Sequence, residues 1–326
     1  MQDWRFPLVP APEAGHKTQG FVDWGDPVAR GWDWPYIAIR GAEPGPAVLV
    51  TAGVHGSEYV SIDAAVQLGT SLDPAKIRGQ VLCLPLLNPA AFEGRVAYVS
   101  PVDNLNLNRA FPGKADGTLT ERLAWLLSEK AIRGADALLD LHGGDLPEAL
   151  FPFSLYYETG NAALDERSSL MAVAFGSPAV IVHRQAGAPI SGLTVTTAGA
   201  LGVPAIIAED GGAGVYDPAL AARMRAGAEN VLCSLGSLEG PATVTPPPRV
   251  FSTFVWLRSE TAGFFKPAVA VGAEVAAGSV LGTIGDFFGR IVETVVSPVA
   301  GQLLFLVVSP AIGQDGLICG IGRDAT

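Results

Sequence analysis

Two histidines and a glutamate stand where a metal-dependent hydrolase would need them. His55 and Glu58 are three residues apart and follow the apolar run Val48-Leu49-Val50-Thr51-Ala52-Gly53. His142 closes a second run, Ala137-Leu138-Leu139-Asp140-Leu141, and Gly143-Gly144 comes after it. Uninterrupted apolar runs read as parallel strands buried on both faces, and ligands of open α/β sheets gather at the carboxyl ends of strands. An H-x-x-E pair alone is weak, and a histidine in an apolar setting is more often a core residue. Three ligand side chains at two glycine-flanked strand ends form a joint signal. Two His and one Glu make a Zn²⁺ set, one ion per chain, that leaves a fourth position open for water.

Such a hydrolase also needs a carboxylate to take a proton from water and pass it to the leaving amine. Glu209 is the candidate: it ends the apolar run Pro204–Ala208, before Asp210-Gly211-Gly212, where burial without a role would be costly. Asp210 is the runner-up for that role and reads more readily as structural. Asp140, two residues before His142, is either a carboxylate that orients a ligand or a capping carboxylate. In residues 103–113, Arg109 offers a planar fork able to grip a carboxylate, with the Asn108 amide beside it. The Phe-Pro-Gly that follows suggests a rigidly held loop.

The elements that must position these groups alternate. Tyr36–Arg40 and Ala47–Thr51 flank a Gly- and Pro-rich stretch and read as a hairpin leading into the first ligand strand. A helix follows over Tyr59–Ser71, then a strand over Gln80–Leu87. Residues 90–117 read as a long functional loop or a broken segment. Thr120–Arg133 reads as an amphipathic helix that Thr118 or Thr120 can cap. Strands are expected at Ala137–Leu141, Leu150–Tyr157, Ala179–His183 and Pro204–Ala208. Helices are expected at Asn161–Phe175 and Pro218–Leu235, with a short one at Thr194–Gly202. The fold class is therefore α/β, a mostly parallel or mixed sheet flanked by helices.

Thr245-Pro246-Pro247-Pro248-Arg249 breaks the pattern and reads as a linker. It divides the chain into an α/β catalytic domain, 1–244, and a small all-β domain, 245–326. In the latter, 263–284 and 301–321 share a weak internal repeat resembling the two halves of a lipoyl- or biotinyl-carrier-type barrel-sandwich. The carrier lysine is missing, since the only lysine, Lys266, lies in the first half. A structural or gating role is expected.

Composition narrows the classes. With 326 residues, 49% of them hydrophobic, the chain can build a large core. A net charge of −11 and the lack of any Lys/Arg cluster argue against nucleic acid as a partner. No uncharged apolar stretch is long enough for a membrane helix. Cys83, Cys233 and Cys319 are odd in number, far apart and set in apolar runs, so they read as free buried thiols. The opening residues lack the basic start and apolar core of a signal peptide, which makes the cytoplasm the default. A homo-oligomer is compatible with all of this.

The motifs Gly53-Val54-His55-Gly56-Ser57-Glu58, Asn104-Leu105-Asn106-Leu107-Asn108-Arg109-Ala110-Phe111-Pro112-Gly113 and Asp140-Leu141-His142, then the Glu209 segment, come in an order that resembles the succinylglutamate desuccinylase/aspartoacylase family. This family has the carboxypeptidase-A-like zinc hydrolase fold, and the likeness is closest to bacterial N-acyl-diaminobutyrate-type deacylases. The resemblance spans about residues 45–235 and implies His55, Glu58 and His142 as zinc ligands. It implies Glu209 as general base and then acid, and Asn108 with Arg109 as a clamp on the substrate carboxylate. There is one departure. An arginine that steadies the oxyanion usually precedes Ser-Pro in this loop, whereas here Ala97-Tyr98-Val99 precedes Ser100-Pro101. Either Tyr98 donates its hydroxyl, or Arg95 reaches in, or the substrate differs.

The expected function is zinc-dependent hydrolysis of the amide of a small N-acylated amino acid or amine. The nearest rival is a metallocarboxypeptidase acting on short peptides. A rival of another kind is a catalytically silent metal- or ligand-binding protein that uses the β-domain for interaction.

Overall fold

Apolar runs that can be buried on both faces occupy the middle of the sheet, and half-polar ones its edges. The computed structural model describes residues 2–25, 28–184 and 191–324. Ten strands precede residue 252: β1 (His16–Phe21), β2 (Pro35–Arg40), β3 (Glu43–Ala52), β4 (Arg78–Leu84), β5 (Ala137–His142), β6 (Glu148–Leu150), β7 (Phe153–Tyr157), β8 (Ala179–His183), β9 (Ala205–Glu209) and β10 (Arg249–Phe251). All but β6 form one mixed sheet in the order β1-β2-β4-β3-β5-β9-β7-β8-β10. The central strands β4, β3, β5 and β9 run parallel, and every residue of β5 is buried.

Six helices complete the layers: α1 (Tyr59–Ser71), α2 (Pro89–Gly94), α3 (Leu119–Lys130), α4 (Ala162–Phe175), α5 (Thr194–Ala200) and α6 (Pro218–Ser234). Residues of α1, α4 and α6 share one buried cluster with one face of the sheet; those of α3 and α5 share another with the opposite face. Helix starts follow their capping chemistry. Thr118, not Thr120, caps α3 in a reciprocal box with Glu121, while Thr120 donates to Asp103. Asn161 and Asp217 cap α4 and α6. Within residues 90–117 the only regular pieces are α2, which begins one residue earlier, and a single helical turn at Leu107–Arg109.

The hairpin expected from Tyr36–Arg40 and Ala47–Thr51 does not form. β4 lies between β2 and β3, antiparallel to the first and parallel to the second. The Gly- and Pro-rich stretch instead carries the chain across the start of β4. Gly41 donates to the carbonyl of Gly79 at 2.9 Å, and a Cβ on Gly41 would lie 1.9 Å from the Ile77 carbonyl oxygen. Backbones this close leave no room for a side chain.

Beyond residue 252 the chain is all β: β11 (Thr253–Arg258), β12 (Gly263–Pro267), β13 (Glu274–Val275), β14 (Val280–Gly285), β15 (Ile291–Val296), β16 (Gly301–Val307), β17 (Ala311–Ile312) and β18 (Leu317–Arg323). They form two antiparallel sheets, β11-β18-β16-β13 and β15-β14-β12-β17. The two repeats correspond to β12–β14 and β16–β18. Sheet bonding crosses residue 245 twice. β10, just after the proline run, joins the edge of the large sheet beside β8, and β6 pairs with β16 in the C-terminal sheet. No helix among the described residues is long and apolar enough to cross a membrane.

Leu306 of β16 is 2% exposed, opposite Ala149 of β6 on one side and Cys319 of β18 on the other. Leu306→Ala should lower the unfolding free energy by about 2–4 kcal/mol in denaturant titrations, the usual cost of truncating a buried leucine. A loss well below 1 kcal/mol would mean that β16 is not packed as described.

Candidate metal centre and active site

β3 and β5 are parallel neighbours with Ala52 opposite Leu141, so the residues just beyond them emerge side by side. His55 and Glu58 lie in the turn from β3 into α1, and His142 is the last residue of β5. One ligand atom from each of the three lies within 4.8 Å of those from the other two. The Nδ1 of His55 is 2.6 Å from Glu58 Oε1, and the Nδ1 of His142 is 3.1 Å from Glu58 Oε2. The far nitrogens have other partners: His55 Nε2 is 3.2 Å from Asn106 Oδ1, and His142 Nε2 is 3.0 Å from Asp140 Oδ2. Each imidazole therefore donates through Nε2 and presents Nδ1 to the centre of the cluster.

Burial opposes charge on all three groups, and their mutual attraction overrides it. Desolvation would raise the Glu58 pKa, but His142 and His55 hold it at about 2. Desolvation would lower both imidazoles; Glu58 raises His55, and Asp140 with Glu58 raises His142. The donor set fits a divalent cation. Two nitrogens and a carboxylate converge, and Glu58 Oε2, though close to His142, is buried without an aligned hydrogen bond.

Asp140, fully buried, orients rather than caps. Its oxygens accept from Thr51 Oγ1 at 2.6 Å and from Thr194 Oγ1, and one of them faces His142. This is the carboxylate–histidine arrangement that fixes ring and tautomer at metal sites. Asp210 is structural in its contacts, held by Arg223 through two nitrogens.

Glu209 is the register partner of His142 across the β5–β9 pair. Its Oε2 is buried and has no hydrogen-bond partner among the described residues. Burial raises its pKa well above the ordinary value; the His142 charge opposes this, while Glu58, Glu148 and Asp140 add to it. A buried carboxyl with an unpartnered oxygen thus sits beside the cluster.

Asn108 is buried and its Oδ1 accepts from the Thr194 amide at 3.2 Å. Arg109 Nη1 donates to the Asn108 carbonyl at 2.5 Å, and Arg109 has no carboxylate partner among the described residues. Tyr157, pushed up to about 12 by burial, feels the charges of both Arg109 and Glu209. The two remaining candidates are placed differently. Arg95 is exposed and ends α2 in a left-handed conformation. Tyr98 stands edge-on to His55 with ring centroids 6.4 Å apart, but its hydroxyl donates to Glu148 Oε1 at 2.5 Å.

Sequence reasoning missed Asn106, Asp145, Glu148 and Thr194. Asn106 lay inside a recognised motif and had a readable signal. Thr194 and Glu148 did not: each reaches its partner across about fifty residues, at spacings no local pattern encodes.

A mixed sheet between helices, with a metal-binding group at its central strand ends and a buried carboxyl beside it, has the parts of a metal-dependent hydrolase site. The comparisons with known proteins narrow that class. The family model described as the succinylglutamate desuccinylase/aspartoacylase catalytic domain matches residues 44–235. The N-alpha-acetyl-L-2,4-diaminobutyric acid deacetylase of Halomonas elongata is 32% identical over 257 residues, 77% of this chain and 74% of that protein. The chain belongs to the succinylglutamate desuccinylase/aspartoacylase family. Solved structures share its fold over nearly the whole length. The product-bound ectoine utilization protein EutE (DoeB) of Ruegeria pomeroyi has a TM-score of 0.88 at 24% identity, covering 99% of this chain and all of that one. A family member from Rhodobacter sphaeroides has a TM-score of 0.86 at 23% identity with the same coverage.

Replacing Asp140 by Asn would put an amide where His142 and two threonine hydroxyls need acceptors. Asp140→Asn should weaken the binding of a divalent cation by the cluster about 10–100-fold in chelator competition. Unchanged affinity would show that Asp140 does not orient His142.

Proposed function

We propose that this protein is a zinc-dependent deacylase that hydrolyses the amide bond of a small N-acylated amino acid. The observation that carries the reading is the convergence of His55, Glu58 and His142 next to a buried, unpartnered Glu209 oxygen. Family membership and the deacetylase relative support it.

His55 and His142 through Nδ1, and Glu58 through its carboxylate, would hold one zinc ion. Bound there, zinc supplies Lewis acidity, lowering the pKa of water and polarising the acyl carbonyl. Glu209 takes the proton from the attacking water and returns it to the departing amine nitrogen. Burial raises its pKa, which favours the proton-carrying form that the second duty needs. Arg109, free of any carboxylate of its own, binds the substrate's carboxylate, with Asn108 fixing the loop beneath it. Tyr98 has its hydroxyl proton committed to Glu148, and Arg95 is exposed. Neither is assigned to the oxyanion.

Amine release from N-acetyl amino acids, N-acetylated diamino acids among them, tests the proposal directly. Glu209→Gln should lose about 10²–10⁴-fold in kcat while retaining zinc. A variant that keeps its turnover would remove Glu209 from the chemistry. Arg109→Ala should raise KM sharply for substrates with a free carboxylate and leave kcat nearly unchanged, the signature of uniform binding. Equal KM values for wild type and variant would remove the clamp. Release of C-terminal residues from tripeptides, with N-acyl amino acids left intact, would favour a carboxypeptidase instead.

A further inference from the structure

Glu148 is a buried carboxylate that the mechanism above does not use, yet its hydrogen bonds reach the Tyr98 loop, the segment after His142 and the loop after Glu209. Its Oε1 accepts from the Tyr98 hydroxyl at 2.5 Å and its Oε2 from the Asp145 amide at 3.1 Å. Asp145 in turn accepts from the Tyr98 amide at 2.7 Å and from the hydroxyl of Ser57, which lies between His55 and Glu58. Tyr98 is thus held at both its amide and its hydroxyl. Its φ of 61° is unusual for a tyrosine and persists only where surroundings over-determine it.

The backbone of Glu148 does a second job. Its carbonyl accepts from the Ala213 amide at 2.5 Å, four residues past Glu209. A Cβ on Gly144 or Gly212 would lie 2.4 or 2.1 Å from that same oxygen. One glycine of each Gly-Gly pair, Gly144 after His142 and Gly212 after Glu209, therefore closes on one atom. Glu148 also begins β6, which forms an isolated bridge from Ala149 to Gly212 on one edge and pairs with β16 on the other, Glu148 opposite Val307.

We infer that Glu148 is a positioning residue that joins the His55–Glu58 turn, Tyr98 and the Glu209 loop into one rigid frame, anchored on the C-terminal sheet through β6 and β16. The inference rests on the metal-centre reading and deepens it, because it makes the C-terminal sheet part of the hydrolytic apparatus. Glu148 itself touches neither substrate nor metal. It acts on the ligand turn through Asp145 and Ser57.

The test compares Glu148→Leu, Glu148→Gln, Tyr98→Phe and the Tyr98→Phe/Glu148→Leu double variant by zinc affinity in chelator competition, by kcat and KM, and by melting temperature. Glu148→Leu and Tyr98→Phe should each weaken zinc binding about tenfold and lower kcat with little change in KM, as expected when support for a metal ligand is lost. The double variant should be no worse than the poorer single one, because both substitutions break the same link. Glu148→Gln should stay within about twofold of wild type: its amide oxygen can accept from the Asp145 amide while its NH₂ donates to the Tyr98 oxygen. Wild-type zinc affinity in both Glu148→Leu and Tyr98→Phe overturns the inference whatever happens to kcat, as do losses that multiply in the double variant. If Glu148→Leu fails to fold, Tyr98→Phe decides alone, with wild-type zinc affinity again the overturning result. If the wild-type protein hydrolyses no N-acyl amino acid, the functional reading fails, and the zinc affinities still judge the frame.

Discussion

A carboxylate buried between two imidazoles is the constraint on which the rest of this structure depends. Glu58 is 4% exposed, and neither of its oxygens reaches bulk water easily. An isolated buried carboxylate would be protonated or would destabilise the fold. Glu58 remains ionised because His55 and His142 face it, and they can do so only if their rings are fixed. The far nitrogen of each ring is accordingly tied to an acceptor, Asn106 for His55 and Asp140 for His142. Asp140 is a second buried carboxylate and needs support of its own, which Thr51 and Thr194 supply. Each buried charge thus creates the demand that the next residue outward meets.

That outward chain sets the architecture of the loops. Thr194 reaches Asp140 with its hydroxyl and Asn108 with its amide, so the residue that steadies the His142 ring also seats the Arg109 loop. Asn106 likewise receives His55 Nε2 and the Asn108 amide on the same oxygen. A shift in the metal-binding group would therefore be felt at Arg109. Such coupling suits a hydrolase that must align a substrate's carboxylate and its amide at once, since misplacement by about 1 Å can cost 10²-fold in rate.

How much of this was legible in the sequence follows from the range of each interaction. The ligand strands, the buried Glu209 and most helices announce themselves through local runs and caps, because burial on both faces and a capping hydroxyl are properties of short segments. The pairing of β2 with β4 was not legible. Two strands separated by a Gly- and Pro-rich stretch have the local pattern of a hairpin, and only the insertion of β4, forty residues later, excludes it. Glu148 was equally silent, an acidic residue in a proline-flanked loop with nothing nearby to mark its burial. Tyr98 was conspicuous for occupying an arginine's usual place, but its hydroxyl partner lies fifty residues away, so the sequence offered a donor without saying where it donates.

The C-terminal sheets gain a physical meaning from the same reasoning. A strand as short as β6, three residues long, has too few hydrogen bonds to hold a fixed position alone. Pairing with β16 gives it a rigid neighbour packed over its own apolar core, which includes Phe305, Leu306 and Val307. The loops after His142 and Glu209 then close on β6 from the other side, with glycines where its carbonyl comes nearest. A sandwich that resembles a carrier domain but lacks the carrier lysine would be surplus in a hydrolase if it only covered the entrance. Bonded through one shared strand to the loops after His142 and Glu209, it ties the metal-binding group to the buried glutamate beside it.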